Sequence, residues 1–155
     1  MKQILIALDY EPSAQKIAET GVALAKAMNA GVTILHVVAN PAYYASLDYS
    51  PIMGFNGFGI TNDLQSSYLE LKKISQDFLD KSRDHLEDNS IKTMIKEGEA
   101  EEGILEAAKE IHADIIVMGS HSRTGIDKIL MGSVTENVLH HTSTPLFIIP
   151  TKKKK

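Results

Sequence analysis

Five short runs of apolar residues, separated by stretches with helical periodicity, constrain the fold of this chain more than any other feature of its sequence. Four of the runs are nearly continuous, which is typical of strands that are buried on both faces of a sheet. The run near residue 91 alternates apolar and polar residues instead, and this pattern suits an edge strand. The runs are Ile4–Leu8, Val32–Val38, Ile91–Ile95, Ile115–Met118 and Leu146–Ile149.

Between these runs, apolar residues recur at the three- and four-residue spacing of one helix face. Ser13 is placed to cap a first helix that ends near Asn29. Asn62 with Gln65 resembles a capping box for a second helix that runs to about Leu86. Two further helices are marked by Ile104, Ala108 and Ile111 and by Val134 and Val138. Strands that alternate with helices predict an α/β fold, with a doubly wound parallel sheet and helices on both faces.

A doubly wound sheet also predicts where a ligand binds. The crevice lies outside the carboxyl ends of the strands, at the point where the winding reverses. We place that reversal between the first strand and the fourth. Asp9 ends the first strand, Val37 lies near the end of the second, and Gly119 ends the fourth. These three separated segments are therefore expected to converge on one crevice.

The last helix begins at this crevice, after Gly132. The segment Ser133–Glu136 has the S-x-x-E form of a capping box. Because the first N–H groups of a helix have no partners within it and carry the positive end of its dipole, they favour an anion such as phosphate. We expect the amides around Gly132 and Ser133 to be free for this purpose. A glycine before a capping serine also serves simply to start a helix, but its position favours a nucleotide or phosphate site.

The length and charge of the chain exclude several classes of protein. With 155 residues, one domain is expected over residues 1–151, and Lys152–Lys155 are interpreted as a solvated basic tail. A formal net charge of −4 disfavours nucleic-acid binding. No run of about 18 apolar residues exists to span a membrane. The first residues lack the features of a signal peptide, so we expect a cytoplasmic protein.

One connection, residues 39–63, is longer than such folds require. It holds five of the chain's nine aromatic side chains. A connection in an α/β unit usually needs about 2–6 residues, so this length indicates either a functional loop or disorder. The loop is either a lid or interaction surface, or a loop that packs its own rings, and both interpretations stay open.

Several segments resemble the universal stress protein family, and together they cover essentially the whole chain. The resemblance implies a five-stranded parallel sheet in the order 3-2-1-4-5 and a homodimer through the last strand, Leu146–Ile149. It also implies an adenine nucleotide as ligand, either ATP or one of ADP and AMP. The segments are ILIALD, ILHVV, ADIIVMGSHSRTG, ILMGSVTENVL and STPLFIIP.

The resemblance also assigns roles to residues of the crevice. In the nucleotide-binding branch of the family, the phosphate segment reads G-x-x-G, nine residues, then G-[ST]. The second glycine of this pattern falls on Ser122, which would modify or weaken ATP binding if bare backbone were needed there. The residues implied to contact adenine or ribose are Asp9 and Val37, and those implied to line the ribose and phosphates are Gly119, Gly132, Ser133 and Val134.

The function expected from these observations is that of an ATP-binding regulatory protein of the stress response. It would act through nucleotide-dependent conformation and an unidentified protein partner rather than through fast catalysis. Two alternatives stay open: a slow ATPase or adenylate-transferring enzyme, and a dimeric interaction module without a nucleotide.

Few residues suggest catalytic chemistry. His121 is the one histidine inside the phosphate segment, and Asp9 is a single carboxylate that could hold a Mg²⁺ ion bound with the nucleotide. His36, on an apolar strand, is interpreted as a core residue. His140 and His141 are adjacent and so point to different faces of a helix, which disfavours a two-histidine metal clamp.

Overall fold

A computed structural model of the protein describes residues 1–9, 12–38, 64–120 and 132–151. Strands and helices alternate along these residues, as the sequence pattern predicts. The elements are β1 (Gln3–Ala7), α1 (Ala14–Met28), β2 (Gly31–Val38), α2 (Leu64–His85), β3 (Lys92–Glu97), α3 (Ala100–Glu110), β4 (Ile115–Gly119), α4 (Ser133–His141) and β5 (Leu146–Ile149).

The five strands form one parallel sheet in the order β3-β2-β1-β4-β5. The predicted α/β class, the strand order and the reversal between the first and fourth strands are therefore confirmed. β1 pairs with β2 on one side and with β4 on the other. Because these strands are parallel, their carboxyl ends meet at the same edge of the sheet, where the crevice was expected.

The sheet is buried on both faces, which explains the nearly continuous apolar strands. Ile4 and Ile6 of β1 pack toward α1 and α2, while Leu5 between them packs toward α3 and α4. All three side chains are fully buried. β3 is an edge strand, and its residues 93–96 are half-buried. The alternation around residue 91 thus predicted the edge position correctly.

The two ends of α1 differ in how well the sequence predicted them. Asn29 ends the helix in the left-handed conformation, with φ 53° and ψ 47°, as expected for a C-cap asparagine. Ser13 precedes the helix and its carbonyl accepts from Ile17 N–H, but its hydroxyl makes no capping hydrogen bond. The reason is that Ser13 has helical backbone angles, φ −80° and ψ −10°, instead of the extended ones that a capping side chain needs.

Several sequence predictions fall outside the described residues. They concern Ser122 and His121 of the phosphate segment, the aromatic connection 39–63, the capping residue Asn62, and the tail Lys152–Lys155. The single domain over residues 1–151 stays a prediction. Within the described part of the chain, no helix combines the length and the apolar character that crossing a membrane requires.

Candidate functional site

The carboxyl end of β1 is held to β2 by two hydrogen bonds beyond the paired residues. Leu8 N–H donates to the Leu35 carbonyl at 2.8 Å. The Leu8 carbonyl in turn accepts from Nδ1 of His36 at 2.9 Å. Asp9 follows directly and is half-buried. The structure therefore places Asp9 at the edge of the sheet beside the point where the winding reverses.

Val37 reaches the same edge on β2, but its side chain packs against α3. A Cβ atom added to Gly103 of α3 would lie 2.7 Å from Cγ2 of Val37 and 2.9 Å from its Cγ1. A side chain at position 103 would therefore collide with Val37, because α3 and β2 approach each other closely at this point. A contact from Val37 to a nucleotide would therefore come from its backbone.

Gly119 ends β4, and its lack of a side chain is explained by packing within the protein. A Cβ there would lie 2.7 Å from Cδ1 of Ile17 and 3.0 Å from Cγ2 of Thr151. Its carbonyl accepts a hydrogen bond from the hydroxyl of Thr135 at 2.8 Å. Gly119 is therefore a junction where β4, α1, α4 and the chain after β5 come together.

The start of α4 differs by one residue from the sequence prediction. Gly132 is the N-cap, with φ −67° and ψ 156°, and its carbonyl accepts the first helical bond from Glu136 N–H. Ser133 is therefore the first helical residue and not the capping one, so the predicted capping box is wrong. The cause is tertiary, because Gly132 N–H donates to the Ser120 carbonyl at 2.6 Å and anchors the cap to the end of β4.

This anchoring also corrects the expected anion site. The amide of Gly132 is already bonded and is not free for a ligand. The next two amides, of Ser133 and Val134, have no acceptor among the residues that the structure describes. Ser133 is exposed and Val134 half-buried. Any phosphate at this helix would thus be bound by the amides of Ser133 and Val134, with the dipole of α4 behind them.

Ser120 ties the start of α4 to the end of β5, and sequence reasoning missed it. Its N–H donates to the Ile149 carbonyl at 2.8 Å, and its hydroxyl oxygen accepts from Thr151 N–H at 3.0 Å. Thr135 was missed as well. Both are small hydroxyl residues, one directly after a buried strand and the other in the first turn of a helix, and that placement was the available signal.

Among the described histidines, His36 confirms its interpretation as a core residue, and His140 and His141 lie at the end of α4. His36 is 1% exposed and packs edge-on against the ring of Phe78 in α2, so it is a core residue. His140 and His141 contact different carboxylates. Nε2 of His140 lies 3.8 Å from Oε1 of Glu136, and Nδ1 of His141 lies 2.6 Å from Oε1 of Glu101. Within the described ranges, no three His, Asp or Glu side chains are grouped so that they could hold a metal ion.

Burial and a neighbouring charge act in opposite directions on His36. Removal of the ring from water disfavours its charged form and lowers its pKa, while the Asp9 carboxylate partly opposes this effect. A carbonyl can only accept, so the bond to Leu8 requires the proton on Nδ1. His36 is therefore neutral near pH 7, with its tautomer set by the end of β1.

The model of the universal stress protein family matches residues 1–150. The chain is 31% identical over 159 residues to universal stress protein MJ0577 of Methanocaldococcus jannaschii, with 97% of this chain and 96% of that protein covered. It is 32% identical over 142 residues to the universal stress protein E homolog of Haemophilus influenzae, with 90% of this chain covered. The chain spans 42% of the length of that second relative.

Solved structures share the fold. The structure of MJ0577 has a TM-score of 0.75 at 27% identity, with 99% of this chain and 98% of that chain covered. A universal stress protein from Archaeoglobus fulgidus in complex with dAMP has a TM-score of 0.59 at 20% identity, with coverages of 96% and 97%. A universal stress protein in complex with cAMP has a TM-score of 0.63 at 20% identity, with coverages of 97% and 98%.

Proposed function

This chain belongs to the universal stress protein family, and we propose that it binds an adenine nucleotide, ATP before ADP or AMP, as a regulatory protein of the stress response. The observation that carries the proposal is the start of α4. Two successive amides, of Ser133 and Val134, lack an acceptor among the described residues, at the edge of the sheet where β1 and β4 end. Adenine nucleotides in two proteins of the same fold support the choice of ligand.

Some residues around the crevice would touch the ligand, and others would hold those residues in position. The amides of Ser133 and Val134 would hold a phosphate, because backbone N–H groups at a helix start bind anions without a side-chain charge. The carboxylate of Asp9 would accept hydrogen bonds from the nucleoside, with the backbone of Val37 beside the base. Gly119 and Gly132 shape the backbone that places these groups.

We also propose that the chain belongs to the nucleotide-binding branch of the family. Ser122 is the position at which its phosphate segment differs from the pattern of that branch. We expect Ser122→Gly to tighten ATP binding, because it restores the G-x-x-G pattern and removes a side chain from the phosphate segment. Titration calorimetry measures the change, and equal or weaker affinity would contradict the expectation. A Mg²⁺ ion would arrive with the nucleotide, since its usual ligands are phosphates and one or two carboxylates.

The first test is to denature the purified protein and separate the released small molecules by chromatography. We expect ATP, ADP or AMP to be released, and calorimetric titration of the emptied protein with each nucleotide ranks them. A protein that releases no nucleotide and binds none in titration contradicts the proposal. Single-turnover assays with labelled ATP separate binding from catalysis, since a regulatory protein releases its ATP largely unhydrolysed.

A second proposal concerns assembly: the chain forms a homodimer through β5. This strand ends the sheet, and Phe147 on it is 38% exposed. An exposed apolar edge invites pairing with another strand. Light scattering should show a dimer at micromolar concentration and a monomer for Phe147→Lys. Leu139→Lys, which changes an apolar side chain of α4 that is 47% exposed, is the control. A wild-type monomer contradicts the proposal.

A further inference from the structure

His36 is a buried ionisable side chain to which the proposed nucleotide site gives no role. It lies on β2 with 1% of its surface exposed. Its Nδ1–H donates to the Leu8 carbonyl at 2.9 Å, across the gap between β2 and β1. A buried polar ring costs free energy unless it is bonded, and here its bond goes to the end of a neighbouring strand.

The bond lies between the two residues proposed to contact the nucleoside. Leu8, which accepts it, is followed directly by Asp9, and His36, which donates it, is followed directly by Val37. The ring therefore fixes the spacing of the two strand ends together with the bond from Leu8 N–H to the Leu35 carbonyl. Phe78 supports the ring from α2, with its centroid 6.1 Å away at an angle of 64°.

The charge of Asp9 also acts on the ring. Burial lowers the pKa of His36, and the Asp9 carboxylate raises it by a smaller amount. The interaction between a carboxylate and a charged imidazole changes with the distance between them. A shift of the ring would therefore change the surroundings of Asp9 as well as the position of Leu8.

We propose that His36 is a positioning residue for the nucleoside half of the ligand, which it serves by holding Leu8 and Asp9, directly after β1, to β2 beside Val37. This inference rests on the proposed function. It divides the crevice into two halves that different contacts position. The nucleoside half depends on His36, and the phosphate half depends on the start of α4, which is anchored to β4 and β5 instead.

Two variants with the same side-chain amide test the role of the donor. In His36→Asn the amide nitrogen takes the place of Nδ1 and keeps the bond to Leu8. In His36→Gln the nitrogen takes the place of Nε2, and the Leu8 carbonyl loses its donor. Without this donor, binding must restore the position of Leu8 and Asp9, and that cost weakens binding by up to about tenfold.

The measurement is calorimetric titration of each variant with ATP, adenosine and inorganic tripolyphosphate. We expect His36→Gln to bind ATP and adenosine about tenfold more weakly and His36→Asn to stay within about threefold of the wild type. Tripolyphosphate affinity should be unchanged in both, which also shows that α4 is folded. Thr33→Val, which removes a buried hydroxyl from the same strand, should leave all three affinities unchanged.

The outcomes separate this inference from the function on which it rests. If the wild-type protein binds none of the three ligands, the proposed function and this inference both fail. If the wild type binds nucleotides and His36→Gln binds adenosine equally well, the inference alone is wrong. It is also wrong if Thr33→Val weakens adenosine as much as His36→Gln does, because His36 would then act only through stability.

Discussion

Replacement of Ser133 by proline removes one amide from the proposed phosphate site with little other change. Ser133 is the first helical residue of α4, and its N–H makes no helical bond. Proline is favoured at this position for that reason. The preceding residue, Gly132, has ψ 156°, within the range of about 120–160° that a residue before proline adopts. The free energy of unfolding should therefore change by less than about 1 kcal/mol.

The effect on binding should be much larger than the effect on stability. A hydrogen bond from a backbone N–H to a charged phosphate contributes about 1.5–3 kcal/mol, which corresponds to about 10- to 150-fold in affinity. We expect Ser133→Pro to weaken ATP binding by a factor in this range and to leave the affinity for adenosine unchanged. Ser133→Ala is the matched control, because it removes the hydroxyl and keeps the amide.

Calorimetric titration measures the affinities, and denaturant titration measures the stability. The reasoning is refuted if the folded proline variant binds ATP as tightly as the wild type, since the amide would then bind no phosphate. It is also refuted if the variant loses ATP and adenosine equally. That result would mean that the substitution disturbed the whole crevice rather than one donor.

Three further predictions concern stability. Thr135→Val should lower the free energy of unfolding by about 1–2 kcal/mol, because the Gly119 carbonyl loses its donor. Denaturant titration measures this change, and Thr135→Ser, which keeps the hydroxyl, is the control. Gly103→Ala should lower the free energy of unfolding by a net of about 1–2 kcal/mol, because the added Cβ would lie 2.7 Å from Cγ2 of Val37 and the cost of overpacking exceeds the gain in helix propensity. A melting temperature above that of the wild type would contradict this prediction. Burial lowers the pKa of His36 in the folded protein, so the unfolded chain binds the proton first as the pH falls below about 6.5, and the free energy of unfolding should fall by at most about 1.4 kcal/mol per pH unit. If the free energy of unfolding of His36→Asn depends on pH in the same way, His36 is not the cause.

The general fold followed from the sequence because its strongest signals are local. Ile4–Ile6 had to be buried on both faces, since three successive apolar residues leave no polar face for water. Asn29 ended α1 because few side chains tolerate the left-handed conformation. The resemblance to a family supplied the strand order, which local patterns alone leave open.

The details of the candidate site were less predictable, because they depend on contacts between distant segments. The start of α4 shifted by one residue because the Ser120 carbonyl, twelve positions earlier, accepts from Gly132 N–H. Gly119 was assigned to the ligand, yet its missing side chain makes room for Ile17 and Thr151. The roles of the predicted site residues in binding remain predictions.

The sequence by itself determined that this chain forms a parallel α/β sheet with helices on both faces. The alternation of apolar strands with amphipathic helices carries that information, and it can be read from local stretches of the chain. Only the tertiary structure decided which amides at the start of α4 lack an acceptor in the described part of the chain, which glycines make room for neighbouring side chains, and that His36 bonds to Leu8 after β1. The physical reason is that hydrogen-bond partners and close contacts are chosen across the sheet, between residues that no local pattern connects.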